Sequence, residues 1–253
     1  MKTTRQKKKG GAFDATIAAV AGILILCGLG VWQLDRKVWK ENLIAKLNGR
    51  LVEAPKDLPP RASWSQLRED GEEFHRVTFP AEFLDGEEAL VYTAGSPLRP
   101  DVKGPGYWVF APARLAGGSI VVINRGFVAD DHKDPNTRAG DAPRGTIDVV
   151  GVMRWPESRN TFTPADDPKK NIWYLRDSNS IATFKKWATA APFYIDQEEP
   201  VPSGGWPKPG KLEVHLPDNH LQYAITWFGL ALALAGVYVA WLARRLFGRK
   251  ERL

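Results

Sequence analysis

The four histidines carry most of the chemistry open to this sequence, and they are not equivalent. His220 follows Asp218 and Asn219 and opens an uncharged run, with Tyr223 and Trp227 three and seven residues further on. On a helix these three side chains share one face. A neutral imidazole at a membrane surface beside an aromatic stripe could serve as an axial ligand for a haem iron. The same residue could equally be an interfacial side chain that hydrogen-bonds headgroups or a neighbouring domain. The other three read as structural. His75 sits between Phe74 and Arg76 in a strand-like pattern, and His215 alternates with Val214 and Leu216. Asp130-Asp131-His132 runs into Lys133 and Asp134 as a solvated loop. Asn124-Arg125-Gly126-Phe127 closes a β-like run, where an Arg could bind a carboxylate or make a structural ion pair. Gly104-Pro105-Gly106 reads as a tight turn into a strand.

Other chemistries find no footing. There is no Gly-rich phosphate loop after a strand, no Gly-x-Ser-x-Gly elbow and no His-Glu-x-x-His. No nucleophile–base pair suggests itself, which ranks a membrane-tethered enzyme last. Cys27 is the one cysteine, so neither an intramolecular disulfide nor a multi-cysteine metal site is available.

His220 is positioned by the second of two apolar runs. The first, Ala15 to Val31, continues through Trp32, Gln33 and Leu34. At 1.5 Å per residue it spans about 26–30 Å, close to the thickness of bilayer hydrocarbon. The second, Leu221 to Ala243, is as long. Trp32, Trp39, Tyr223, Trp227 and Trp241 lie near their ends as aromatic anchors, although Trp227 lies deeper. Trp32-Gln33-Leu34-Asp35-Arg36 is a poor cleavage context, so the first run is expected to be an uncleaved anchor and not a signal peptide.

The net charge of +6 resides at the chain ends. Lys2, Arg5, Lys7, Lys8 and Lys9 precede the first run, and Arg244, Arg245, Arg249, Lys250 and Arg252 follow the second. The stretch between the runs is slightly acidic, which argues against nucleic acid as a partner. Basic flanks predict both termini on the cytoplasmic side, despite Arg36, Lys37 and Lys40 just beyond the first run. The expected organisation is a basic N-terminus (1–14), a first span (15–34), a periplasmic domain (35–220), a second span (221–243) and a basic tail (244–253). A short basic start without the Ser- and Arg-rich pattern of a transit peptide points to a bacterial inner membrane.

Between the spans, Glu41 to Asn48 continues as a short helix and Pro-rich Ala54 to Arg61 is extended. Strands are predicted at Phe74–Leu84, with Pro80 demoting it to an edge or a bulge, and at Ala89–Thr93, Tyr107–Ala111, Ser119–Ile123, Thr146–Met153 and Asn171–Leu175. Pro192–Asp196 and Lys211–Leu216 are weaker candidates, and Ser180 to Thr189 reads as a helix. The fold class is therefore a membrane protein of α+β type. Two transmembrane helices flank one mainly antiparallel β domain, a curved sheet or partly closed barrel with one or two short helices.

Several segments, taken in order, resemble the surfeit locus protein 1 family, bacterial type. They are Leu29-Gly30-Val31-Trp32-Gln33-Leu34-Asp35-Arg36-Lys37-Val38-Trp39-Lys40, Gly104-Pro105-Gly106-Tyr107-Trp108, Ile123-Asn124-Arg125-Gly126-Phe127-Val128, Gly151-Val152-Met153-Arg154-Trp155-Pro156 and Asn219-His220-Leu221-Gln222-Tyr223-Ala224-Ile225-Thr226-Trp227-Phe228. Phe127 departs from the Trp of many relatives. The resemblance implies an assembly factor for cytochrome c oxidase, not an enzyme, that helps deliver haem a to the catalytic subunit or insert it there. Its implied partners are that subunit, haem a synthase and membrane lipid. His220 matches the histidine of the last motif and is the implied haem-iron ligand, with Tyr223, Trp227 and Trp32 beside it. Arg36 and Arg125 are candidates for the haem propionates. A membrane scaffold that stabilises an oxidase intermediate without touching haem is the alternative.

Overall fold

A computed structural model describes residues 11–138, 140, 143, 145–187, 190–214 and 218–247. His215, Thr189, Leu216, the basic residues before position 11 and Arg249, Lys250 and Arg252 lie outside the described residues. The chain divides into two compact units, Met1–Ile44 with Leu216–Leu253, and Ala45–His215.

The first unit is a pair of helices. Helix α1 spans Gly11–Val52 and helix α4 spans His220–Phe247, and each is long and apolar enough to cross a membrane. At 42 residues, α1 is about 60 Å long, roughly twice the hydrocarbon thickness. The predicted second segment at Glu41–Asn48 is the unbroken continuation of α1. Nothing between Asp35 and Asn48 breaks a helix, and Pro55 follows its end. The two helices run antiparallel. Thr16 Oγ1 and Tyr238 Oη are 2.7 Å apart near one end. Further along, a Cβ on Gly22 would lie 2.9 Å from the Leu234 side chain, and one on Gly30 would lie 2.6 Å from the Phe228 ring. Ala19, Ala224 and Ala231 are buried in the same seam. Small residues that let backbones approach are the usual glue between helices in lipid, where burial of apolar surface gives little drive.

The second unit is built on an eight-stranded sheet. Its strands are β1 (Lys56–Asp57), β2 (Arg76–Phe83), β3 (Ala89–Gly95), β4 (Lys103–Arg114), β5 (Ile120–Ala129), β6 (Thr146–Arg154), β7 (Ile172–Trp173) and β8 (Ala190–Glu199). Short helices α2 (Glu69–Glu72) and α3 (Ser178–Lys185) accompany it, with short 3-10 turns such as Arg61–Gln66. The strand order is β1-β2-β6-β8-β5-β4-β3-β7. Pairing of Glu82 with Arg114 and of Phe83 with Ala113 joins β2 to β4 and closes β2-β6-β8-β5-β4 into a five-stranded barrel. Antiparallel pairing dominates, but β5 and β8 run parallel, as do the short pairs β1–β2 and β3–β7. A parallel neighbour needs a crossover, and α3 lies in the connection that leads into β8.

Side-chain alternation sorts the strands into two faces. Val77, Phe79, Ala81 and Phe83 of β2 meet Val121 and Ile123 of β5 and Phe193 and Ile195 of β8, with Trp64 closing over them. All five barrel strands contribute to this inner core. On the outer face, Ile181 and Ala182 of α3 cover Val91, Trp108, Phe110, Val122 and Tyr194.

Several expected strands are corrected by these pairings. The strand read as ending at Ile123 runs on to Ala129, so Arg125 is a buried mid-strand residue and not a strand-end one. Gly104-Pro105-Gly106 is no turn but part of β4, where a Cβ on Gly106 would lie 2.4 Å from the Phe127 ring. Phe127 itself meets Trp108 edge-on at 5.8 Å, so the site is an aromatic packing position. β2 is not an edge strand. It pairs with β6 along Arg76–Glu82, and Pro80 sits between its shorter pairings with β1 and β4. Lys211–Val214 forms no strand, and the predicted Asn171–Leu175 strand shrinks to Ile172–Trp173.

The outer face also holds a buried ionic group. Asp196 on β8 accepts from Asn124 Nδ2 at 2.6 Å and from Arg154 Nη1 at 3.1 Å, and Arg154 Nε donates to Glu73 at 3.1 Å. Asp196→Ala would leave Arg154 and Asn124 without that acceptor, and we expect a loss of about 3 kcal/mol. Thermal unfolding of the full chain followed by near-ultraviolet dichroism would measure it. Nearby, burial alone would raise the Glu157 carboxyl, but Arg176 holds it below the usual carboxylate range. A depressed carboxylate stabilises the fold above its ordinary range, and that contribution is lost as the pH falls through its folded value.

Candidate functional site

The start of α4 is fixed by local capping. The Asp218 side chain accepts a hydrogen bond from the His220 backbone N at 2.9 Å, and the Asn219 carbonyl accepts from Tyr223 N at 3.1 Å. Asp218 thus satisfies a donor that a helix terminus leaves unpaired, and the Asn219 carbonyl takes the first intrahelical bond. They also set His220 as the first helical residue, with Tyr223 and Trp227 on its face.

The His220 imidazole is half-buried against α1, and its Nδ1 lies 2.7 Å from Gln33 Oε1. An amide oxygen can only accept, so Nδ1 is the donor in this contact, and the neutral form of the ring then keeps the lone pair of Nε2. A ring nitrogen with a free lone pair, its partner nitrogen donating to a carbonyl, is the arrangement found in metal-bound histidines. Among the described residues, no three of His, Cys, Asp or Glu gather as a metal cluster. The donor set fits a single protein ligand to a metal that brings its own remaining donors.

Around this pair, Trp32 and Tyr223 are more than half exposed, and Trp227 is partly buried. Arg36 stacks its guanidinium 4.4 Å over the Trp39 ring, one turn beyond Trp32 on α1. The helix pair thus presents, at one end, an imidazole, exposed aromatic surface and a cation.

Comparison with known proteins gives this arrangement its context. The SURF1 family model matches residues 20–232, which run from within α1 to within α4. The chain belongs to the SURF1 family. It is 32% identical to a SURF1-like protein of Monosiga brevicollis, over 97% of this chain and 93% of that one. It is also 33% identical to Surfeit locus protein 1 of Homo sapiens, over 81% of this chain and 70% of the human protein. The protein of that name from Rattus norvegicus is 32% identical, over 87% and 73%.

Within this SURF1 chain, His220, Tyr223 and Trp227 on α4 and Trp32 and Arg36 on α1 belong to the helix-pair unit. Arg125 belongs to the β unit. Its guanidinium lies 4.8 Å from the Phe83 ring centroid, beside a cavity of about 380 Å³ that Ile147, Gln197 and Pro200 also line. His75 lies 3.6 Å from Glu53, and His132 stacks on Trp206 at 4.4 Å, both within the β unit. Sequence reading missed Gln33, although it stands inside the first family motif. The signal was its polarity: an amide in the last turn of an otherwise apolar run needs a partner.

Proposed function

We propose that this protein is an assembly factor for cytochrome c oxidase that receives haem a at the His220 end of its helix pair and passes it toward the catalytic subunit. The observation that carries this reading is the His220–Gln33 hydrogen bond, because in the neutral imidazole it leaves the Nε2 lone pair available to a metal at the edge of an apolar helix. Haem a, when bound, supplies the iron and the ring nitrogens that a lone histidine lacks. The chain's own residues hold and orient. His220 is the iron ligand, Trp32, Tyr223 and Trp227 offer aromatic surface for a largely apolar macrocycle, and Arg36 offers a cation for a propionate. Arg125 remains the second candidate for a propionate. These residues leave the macrocycle chemically unchanged, and only the coordination bond from His220 to the iron would form on loading and break on transfer, so the role is that of a carrier and not of an enzyme. Partners are the catalytic subunit, haem a synthase and lipid.

The protein is read as an inner-membrane protein of a bacterium, with both ends cytoplasmic and the β domain periplasmic, because Lys and Arg crowd the outer flank of each apolar run. Protease added to spheroplasts is expected to digest the β domain while a C-terminal tag survives on a small fragment. Loss of the tag from outside would overturn the topology. Function is tested by deleting the gene. Oxidase haem a content per catalytic subunit should fall several-fold and return with the parent chain. Unchanged content would remove the assembly role.

A further inference from the structure

We propose that Gln33 is the positioning residue for His220, and that it acts only while the two apolar helices are paired. The functional consequence rests on the haem-carrier reading, whereas the hydrogen bond does not. Gln33 projects from α1 and His220 from the first turn of α4, and Oε1 and Nδ1 meet at 2.7 Å. Left alone, an imidazole can carry its proton on either nitrogen and turn about its last side-chain bond. Donation from Nδ1 to a carbonyl oxygen fixes both choices and enriches Nε2 in electron density. Gln33 is therefore worth more than an ordinary polar contact at a helix end.

The bond joins residues 187 positions apart and exists only if the helices stay in register. The register is set one turn away. Gly30 precedes Gln33 by three residues on α1, and any Cβ there would enter the Phe228 ring of α4 at 2.6–2.9 Å. Phe228 lies about two turns below His220. The close approach at Gly30 and the hydrogen bond at Gln33 thus belong to one seam. A bulky side chain at position 30 must displace the Phe228 ring or the helix that carries it, and a leucine there is expected to loosen the Gln33–His220 contact without altering either residue.

The experiment uses the full-length protein in nanodiscs, with the histidines labelled with nitrogen-15. In the haem-free parent, the His220 ring should show the Nδ1–H tautomer. Gln33→Leu should move the ring toward the Nε2–H form, and Gly30→Leu should do the same with Gln33 intact. Gln33→Glu, which keeps an oxygen acceptor, should retain the parent tautomer. After loading with haem, Gln33→Leu and Gly30→Leu should release it roughly tenfold faster than the parent, and Gln33→Glu should not. Parent-like tautomer and parent-like release in both leucine variants would overturn the proposal. A parent that shows the Nδ1–H tautomer, lost in Gln33→Leu, but takes up no haem would support the positioning bond and overturn the carrier reading instead.

Discussion

Gly126→Val is expected to abolish folding of the β domain, at a cost of about 4 kcal/mol or more. Gly126 lies in the middle of β5 with φ at +119°, a backbone state that a β-branched residue reaches only with strain. Space is the larger obstacle. A Cβ there would lie 2.1 Å from the Lys208 carbonyl oxygen and 2.4 Å from Pro209 N, both backbone atoms that cannot swing aside. Those atoms are held where they are because Phe127 N donates to Lys208 O at 3.0 Å and Lys208 N donates to Phe127 O at 2.8 Å. Relief of the clash would break both bonds and uncover a central barrel strand. Gly118→Ala is the control. It too has a positive φ, at +78°, but its Cβ meets open space, so only about 1 kcal/mol of backbone strain is expected. Near-ultraviolet dichroism during thermal unfolding separates the two variants.

His220→Ala is expected to lower the oxidase's haem a content at least tenfold while leaving this protein's abundance in the membrane unchanged. Removing the proposed iron ligand exceeds the 10–100-fold effect of losing an outer hydrogen-bond partner. The fold should tolerate the change. His220 is the first residue of α4, its backbone N donates to Asp218, and the uncharged run behind it is untouched. His75→Ala and His132→Ala serve as controls, because both histidines lie in the β unit, one near Glu53 and one stacked on Trp206. Haem a extracted from purified oxidase, normalised to catalytic subunit, gives the comparison. A His220→Ala strain with normal haem a would remove the ligand assignment.

The two apolar helices were legible because their signal is long and local: charge-free runs with basic and aromatic flanks. The strands were legible wherever β-branched and aromatic residues clustered, as at Ala89–Thr93 and Thr146–Met153. They were cut short where polar residues or glycines occupy buried strand positions. Asn124, Arg125 and Gly126 look like a turn in sequence, yet Asn124 bonds Asp196 and Gly126 admits the Lys208 backbone. Those partners are 72 and 82 residues away, beyond any local pattern. Barrel closure through Phe83 and Ala113 is equally non-local. The site divides in the same way. His220, Tyr223 and Trp227 share a helix face that spacing alone reveals, whereas Gln33 matters through a contact with another helix that spacing cannot reveal.

The most direct test of the haem-carrier reading is the optical spectrum of the full-length protein purified from cells that make haem a, read beside His220→Ala prepared in parallel. The expected result is a Soret band in the parent, with about one haem per chain, and its loss in the variant at equal protein yield. A colourless parent, or a variant that carries as much haem as the parent, would contradict the account.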